Sequence, residues 1–275
     1  MSALQTLFTN IATSIRGGLP DEGKMSPYSF PEKIDEIVAS SVGGSDEWKE
    51  QLMSLVDGTA TEVIVPEGVT TISIYPFSDN QGLLSVSLPQ SLTKISANAF
   101  NNCSQLVLTS LPDSITIIET YAFSRCPQLA LTSLPSGLKS INNYTFNNCS
   151  QLALTSLPDG LTSIGSCAFY ECPQLALTSL PECVINIDGS AFYNCTKLAL
   201  TSLPRSLTSI GGSAFYGCTG LTELTFKRKS TSIGKNAFKN CTNLLTINVP
   251  WEEGAVANAP WGATNATINY NYTGE

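Results

Sequence analysis

The 275-residue chain contains no histidine, and only 13% of its residues are charged, about half the usual share. Without imidazole, the usual base for a serine or cysteine nucleophile is missing, and so is the commonest zinc ligand. No Gly-x-Ser-x-Gly and no Cys-x-x-Cys occurs, so neither a hydrolase elbow nor a paired-thiol site is indicated, and no cofactor or metal is expected. No apolar run of membrane-spanning length is present, nor a basic start leading into an apolar stretch. The sequence therefore shows no signal peptide and no membrane insertion, and cytoplasmic synthesis is expected. Cations are scarce too: the net charge of −8 argues against a nucleic-acid backbone or an anionic membrane as partner. Gly18 to Lys24 has the spacing of a phosphate loop, but Met25 stands where a metal-binding hydroxyl is needed and a helix pattern, not a strand, precedes it.

What is present is repetition. Cys103, Cys126, Cys149, Cys172, Cys195, Cys218 and Cys241 fall 23 residues apart, each preceded at minus three by a phenylalanine, from Phe100 to Phe238. A fixed period of this size means one small unit stacked on copies of itself, an elongated solenoid with a large side surface. Because the seven thiols share one repeat position, they are expected as a buried, reduced column and not a disulfide framework. Cys167 and Cys183 lie outside it, each expected to be partly exposed.

In one copy the recurrently apolar positions are Leu152, Leu154, Leu157, Leu161, Ile164, Ala168, Phe169 and Cys172. So few buried side chains do not offset the ordering of a whole coil, and a single copy is not expected to fold alone. Eight copies of the phenylalanine position, Phe77 to Phe238, predict about eight coils forming a rod roughly 40 Å long at strand spacing. Proline, as at Pro158, lacks an N–H and ends a short strand before a second apolar piece, Leu161-Thr-Ser-Ile164.

Leu-x-Leu-x-x-Leu-Pro, then Leu-x-x-Ile, then Ala-Phe-x-x-Cys resembles the treponemal, BspA-like class of leucine-rich repeats over about 190 residues. The resemblance implies a leucine-rich-repeat solenoid, mainly short strands and turns in the α+β class, and adhesion to host proteins or cells. Departures mark the end coils: Asn80 and Pro76 replace cysteine and alanine, Thr145 replaces alanine, and Lys227-Arg228-Lys229 and Ser230 replace proline and a core leucine.

The flanks read differently. Leu4, Leu7, Phe8, Ile11 and Ile15 share a helical face between a Ser2/Gln5 capping box and Gly17, and Ser29-Phe30-Pro31-Glu32 opens a second helix. SALQTLFTNIATSIR followed by FPEKIDEI resembles a helical module at the start of tail-associated proteins of phages and prophages of Gram-positive bacteria. That implies attachment to tail proteins through residues 1–42, and a virion or tail-associated location; a bacterial surface is the alternative. Residues 43–60 read as a helical cap or linker, 61–250 as the solenoid and 251–275 as a C-terminal cap. Trp251, Trp261 and the alternation Thr267 to Tyr272 are expected in that cap, which is similar to terminal segments of such repeats in gut bacterial proteins.

On the side surface the strongest signal is aromatic. Tyr170, Tyr193 and Tyr216 follow the core phenylalanine directly, and Tyr121 and Tyr144 lie two residues before it in earlier coils. They form either a contact strip for a host-surface protein or glycan, or a cover over the phenylalanine column. Lys227-Arg228-Lys229 is either a grip for an acidic partner or a solvated loop. The triplets at Asn102, Asn143, Asn148, Asn194, Asn240, Asn265 and Asn271 match the glycosylation pattern, largely because the repeat contains Cys-Ser or Cys-Thr. Glu119, Glu171 and Asp188 occupy non-equivalent copies, which argues against a glycosidase pair. Three functions stand side by side: a non-enzymatic adhesin, a structural spacer, and, least supported, a polysaccharide hydrolase. Oligomeric state is not legible.

Overall fold

The computed structural model describes residues 61–65, 67–72, 77–228 and 231–273. They form a β-solenoid of about nine turns. That corrects the expected eight: Trp261, one period after Phe238, occupies a further turn that carries the chain past Pro250. The described residues contain no helix, so the α component of the expected class and the N-terminal helices at 1–42 and 43–60 fall outside the described residues.

One side of the rod is a ladder of two-residue parallel strands. It comprises β2 (Thr71–Ile72), β4 (Lys94–Ile95) and β5 (Ile117–Ile118), then β6 (Ser140–Ile141), β7 (Ser163–Ile164), β8 (Asn186–Ile187), β10 (Ser209–Ile210) and β12 (Ser232–Ile233). Every pair is in register at 23 residues, as Ser163↔Asn186 and Ile164↔Ile187 show. The β-branched isoleucine points into the core and its neighbour points outward, as strand alternation requires. The ladder breaks between β5 and β6, where the Asn142 side-chain amide donates to the Ile118 carbonyl at 2.6 Å.

A second side forms regular strands only near its ends. These are β1 (Glu62–Ile64) with β3 (Ser85–Ser87), and β9 (Ser202–Leu203), β11 (Glu223–Phe226), β13 (Thr246–Asn248) and β14 (Thr267–Asn269). In the central coils the buried leucine, as at Leu131 or Leu154, comes one residue earlier than Val86 or Leu224 does in the strand-forming coils. A one-residue shift reverses which side chains face inward. Neighbouring central coils are then joined by single bonds such as Ala153 N–H to Leu131 O, 3.3 Å, and Ala176 N–H to Leu154 O, 3.0 Å.

The third side is the phenylalanine turn. Two residues before and two after each column phenylalanine from Phe100 to Phe238 the backbone is left-handed, as at Asn98 and Asn102 (φ 57° and 61°) or Tyr144 and Asn148 (both 57°). This alternation turns every second N–H toward the next coil: Phe100 N–H donates to Ala122 O and Asn102 N–H to Ser124 O, both at 2.8 Å. Inside, the eight phenylalanine rings stack at centroid distances from 4.8 to 5.8 Å. The seven cysteine thiols are buried and free, and each donates to the phenylalanine carbonyl of the preceding coil, for example Cys172 Sγ to Phe146 O at 3.0 Å. Asn80, which replaces the first cysteine, is also buried and accepts from Gly82 N–H at 3.1 Å.

Candidate recognition face

The five tyrosines lie on the phenylalanine side, in two stacks. Tyr121 and Tyr144 pair at 4.5 Å; Tyr170 and Tyr193 at 4.6 Å; Tyr193 and Tyr216 at 4.5 Å, with ring planes within 11°. Ring faces inside each stack are therefore covered by neighbouring rings. What the stacks present is ring edges and hydroxyls, so the face is suited to hydrogen bonding more than to stacking on a partner. Burial raises the pKa of Tyr170 and Tyr193 above the ordinary phenol value, with Glu171 adding to both. Tyr144 is raised chiefly by its side-chain hydrogen bond with Cys167. These phenols stay protonated and able to donate at neutral pH.

Beside the second stack runs a groove of about 970 Å³. The residues two after each phenylalanine, from Asn102 to Asn240, form one row, and those four after, from Ser104 to Thr219, form the other. Asn240 Nδ2 donates to Tyr216 Oη at 2.7 Å, joining stack and groove. Gly217 keeps the left-handed backbone of its row (φ 69°) without a side chain, and the Asn194 carboxamide lies where its Cβ would be.

The row alternates in a way the sequence reading missed. Asn102, Asn148, Asn194 and Asn240 recur every second coil, with Arg125, Glu171 and Gly217 between them. In the other row Ser104 and Ser150 alternate with Pro127 and Pro173 over four coils, and Thr196 and Thr219 follow. The signal was a doubled period of 46 residues, hidden beneath the 23-residue one that the core obeys.

Other candidates are tied into the coil. Lys227 Nζ lies 2.8 Å from Glu182 Oε1, and that hydrogen bond is the main cause holding the Glu182 carboxyl below its ordinary range. Arg205 N–H also donates to Glu182, at 3.2 Å, so part of the basic run is an intercoil clasp. Lys229 and Ser230 lie outside the described residues. A smaller cavity of about 500 Å³ next to Lys227 includes Arg205, Glu223 and Tyr272. Glu119 is paired with Lys94 at 2.6 Å and caps Ala97 N–H at 3.0 Å, a bracing role. Cys167 is half-buried and Cys183 exposed. Among the described residues no group of His, Cys, Asp or Glu is placed to hold a metal ion, and no helix is long and apolar enough to cross a membrane.

Comparison with known families decides the class of repeat: the BspA type leucine rich repeat region matches residues 57–176 and 139–256. The chain belongs to this family. Among solved structures, this BspA-type chain is similar to the T. pallidum leucine-rich repeat protein, at 27% identity and a TM-score of 0.51, over 67% of this chain and 78% of that one. It shares its fold with a leucine-rich cell surface protein from Faecalibacterium prausnitzii A2-165, at 19% identity and a TM-score of 0.52, over 78% and 88% of the respective chains. A search of the curated proteins gives no match.

Proposed function

We propose that this BspA-type solenoid is a non-enzymatic binding protein that engages an extended partner at a host surface, a protein or a glycan, through its phenylalanine side. The observation that carries this reading is the groove crossing seven coils from Asn102 to Asn240, bordered by the Tyr170, Tyr193 and Tyr216 stack. A continuous concave surface with convergent amides and phenols is what recognition of a linear partner requires. In the same reading residues 1–42 attach the chain to phage or prophage tail proteins, and the solenoid serves host recognition. A bacterial surface location fits the binding role equally. The mutual stacking of the tyrosines also favours a second reading, a spacer rod whose aromatic ladder stiffens the turns, and the test below separates the two.

The test uses Tyr170→Phe with Tyr193→Phe, which keeps the stack and removes two hydroxyls, beside the double alanine variant. Binding of the full chain to intact host cells is measured together with thermal melting. As a binding face, the phenylalanine pair weakens attachment about fivefold to tenfold, the loss of one or two hydrogen bonds, at unchanged melting temperature. Attachment unaffected by either pair removes the tyrosines from the site and leaves the spacer. Deleting residues 1–42 is expected to leave the solenoid folded and to abolish incorporation into tail particles. Particles that still carry the shortened chain rule out the attachment role.

A further inference from the structure

We infer that the groove takes a neutral β-1,4-linked polysaccharide lying along the solenoid axis, one sugar per coil and one disaccharide per pair of coils. The inference rests on the phenylalanine side being a binding face and names its ligand class.

The doubled period is the first argument. Phenylalanine, cysteine and leucine columns repeat every 23 residues, as do the strand registers up to β13, so folding itself has no need of a two-coil repeat. Within the row, Asn102 bonds Asp79 and the Asn194 carboxamide lies over Gly217; a ligand whose own chemistry alternates would read the two-coil repeat. In a β-1,4-linked chain each sugar is turned over relative to the last, so equivalent groups return every second sugar. Two coils advance about 9.6 Å at about 4.8 Å each, close to that disaccharide length. An extended peptide returns the same face every two residues, about 6.7 Å, and falls out of step within a few coils.

The lining chemistry is the second. Asn carboxamides offer a donor and an acceptor side by side, the match for vicinal hydroxyls. Asn102 donates to Asp79 at 2.9 Å, Asn148 to Asn147 at 2.8 Å and Asn240 to Tyr216 at 2.7 Å. Each carboxamide is thus held by one N–H, with its oxygen and second N–H left for a ligand, which lowers the ordering cost of binding. The Asn194 carboxamide has no hydrogen-bond partner among the described residues. Pro127 and Pro173, on alternate coils, supply apolar pads for the C–H faces of sugars that return in the same orientation. Arg125 and Glu171 cancel in charge, and neither is in a salt bridge with a described residue, so the groove favours a neutral chain over an anionic one.

The test titrates the full chain with cellohexaose and N-acetylchitohexaose, and with cellotriose and maltohexaose as controls, by calorimetry. Saturable binding to at least one β-1,4-linked hexamer is expected, about tenfold tighter than to the trimer or to maltohexaose. Asn148→Gly with Asn194→Gly keeps the left-handed backbone (φ 57° and 56°) and removes two carboxamides. It should weaken hexamer binding about tenfold while melting stays close to that of the parent chain. No binding to either β-1,4-linked hexamer, equal binding to maltohexaose, or an unaffected double variant overturns the assignment. If the chain still attaches to cells in a tyrosine-dependent way, only the glycan is wrong; if cell attachment is also absent, the binding face itself falls.

Discussion

Each column cysteine carries more than packing. For Cys126, Cys172, Cys218 and Cys241 the thiol is the second donor to a phenylalanine carbonyl that already receives the N–H of the cysteine three residues on, as Cys149 N–H to Phe146 O and Cys172 Sγ to Phe146 O show. The 23-residue spacing made the burial legible, but the bond joins residues 26 apart in adjacent coils and depends on the left-handed turn, which no motif announces. Burial pushes the thiols of Cys126, Cys172 and Cys241 up from about 9 to about 12. In the native chain a thiol-specific reagent should therefore titrate Cys183 quickly and Cys167 more slowly, and reach all nine only in denaturant. Fast reaction of a column thiol in folded protein would contradict the packing. The sign of the pH effect follows from the same shift. Above about pH 9 the unfolded chain loses thiol protons that the folded chain keeps, so stability, fully present below pH 9, falls as pH rises toward 12. Each such thiol contributes a slope of about 1.4 kcal/mol per pH unit. Melting temperature against pH, for the parent chain and Cys172→Ala, measures it: the variant should start lower and decline less steeply.

At the scale of the element, two short apolar pieces around a proline were readable from Leu-x-Leu-x-x-Leu-Pro and Leu-x-x-Ile, and the isoleucine ladder has that form. What the pattern concealed is that the leucine side forms its strands of three and four residues where the buried residue sits one position later, at Val63, Val86, Leu224 and Ile247, while β9, in a coil that buries Leu200, has only two residues. A hydrophobic period of 23 fixes the coil length but not which neighbour of a strand faces inward. The final strands are then held by a side-chain relay in addition to backbone bonds. Asn269 Nδ2 donates to Asn248 Oδ1 at 2.8 Å, and Asn248 Nδ2 to Glu223 Oε1 at 2.7 Å and Thr225 Oγ1 at 3.1 Å. Asn248 is buried, so Asn248→Ala removes its hydrogen bonds to three partners and should cost about 1–3 kcal/mol in chemical denaturation. Phe169→Ala, in the middle of the ring column, should cost about 3–5 kcal/mol by opening a cavity between Phe146 and Phe192. A loss well below 1 kcal/mol at Phe169 would mean the ring column is not the spine of the rod.

For the whole molecule, the ends decide solubility, because a stack of coils exposes its core at each terminus. The C-terminal end is closed by an aromatic cluster that replaces the regular column: Phe226 meets Trp251 at 5.3 Å, Trp261 at 6.1 Å and Phe238 edge-on at 6.3 Å. The Trp261 indole donates to Ala257 O at 2.9 Å, so its polar edge is satisfied while the ring is buried. β14 pairs with β13 at an offset of 21 residues instead of 23, and this last strand is exposed at Thr267 and Asn269, the polar outer face that a terminal coil needs. The tryptophans and the alternation after Pro250 were visible in the sequence as a cap. Their arrangement as a ninth turn was not, because Trp261 stands for phenylalanine and the period shortens by two. Removing residues 251–275 uncovers Phe226, Leu244, Ile247 and Val249, all buried in the full chain. The shortened chain should therefore self-associate or precipitate, while the full chain elutes at a size independent of concentration; light scattering across a dilution series distinguishes them. A shortened chain that stays monodisperse with an unchanged melting temperature would show that the solenoid ends at Pro250 and that the aromatic cluster is an appendage and not its closing turn.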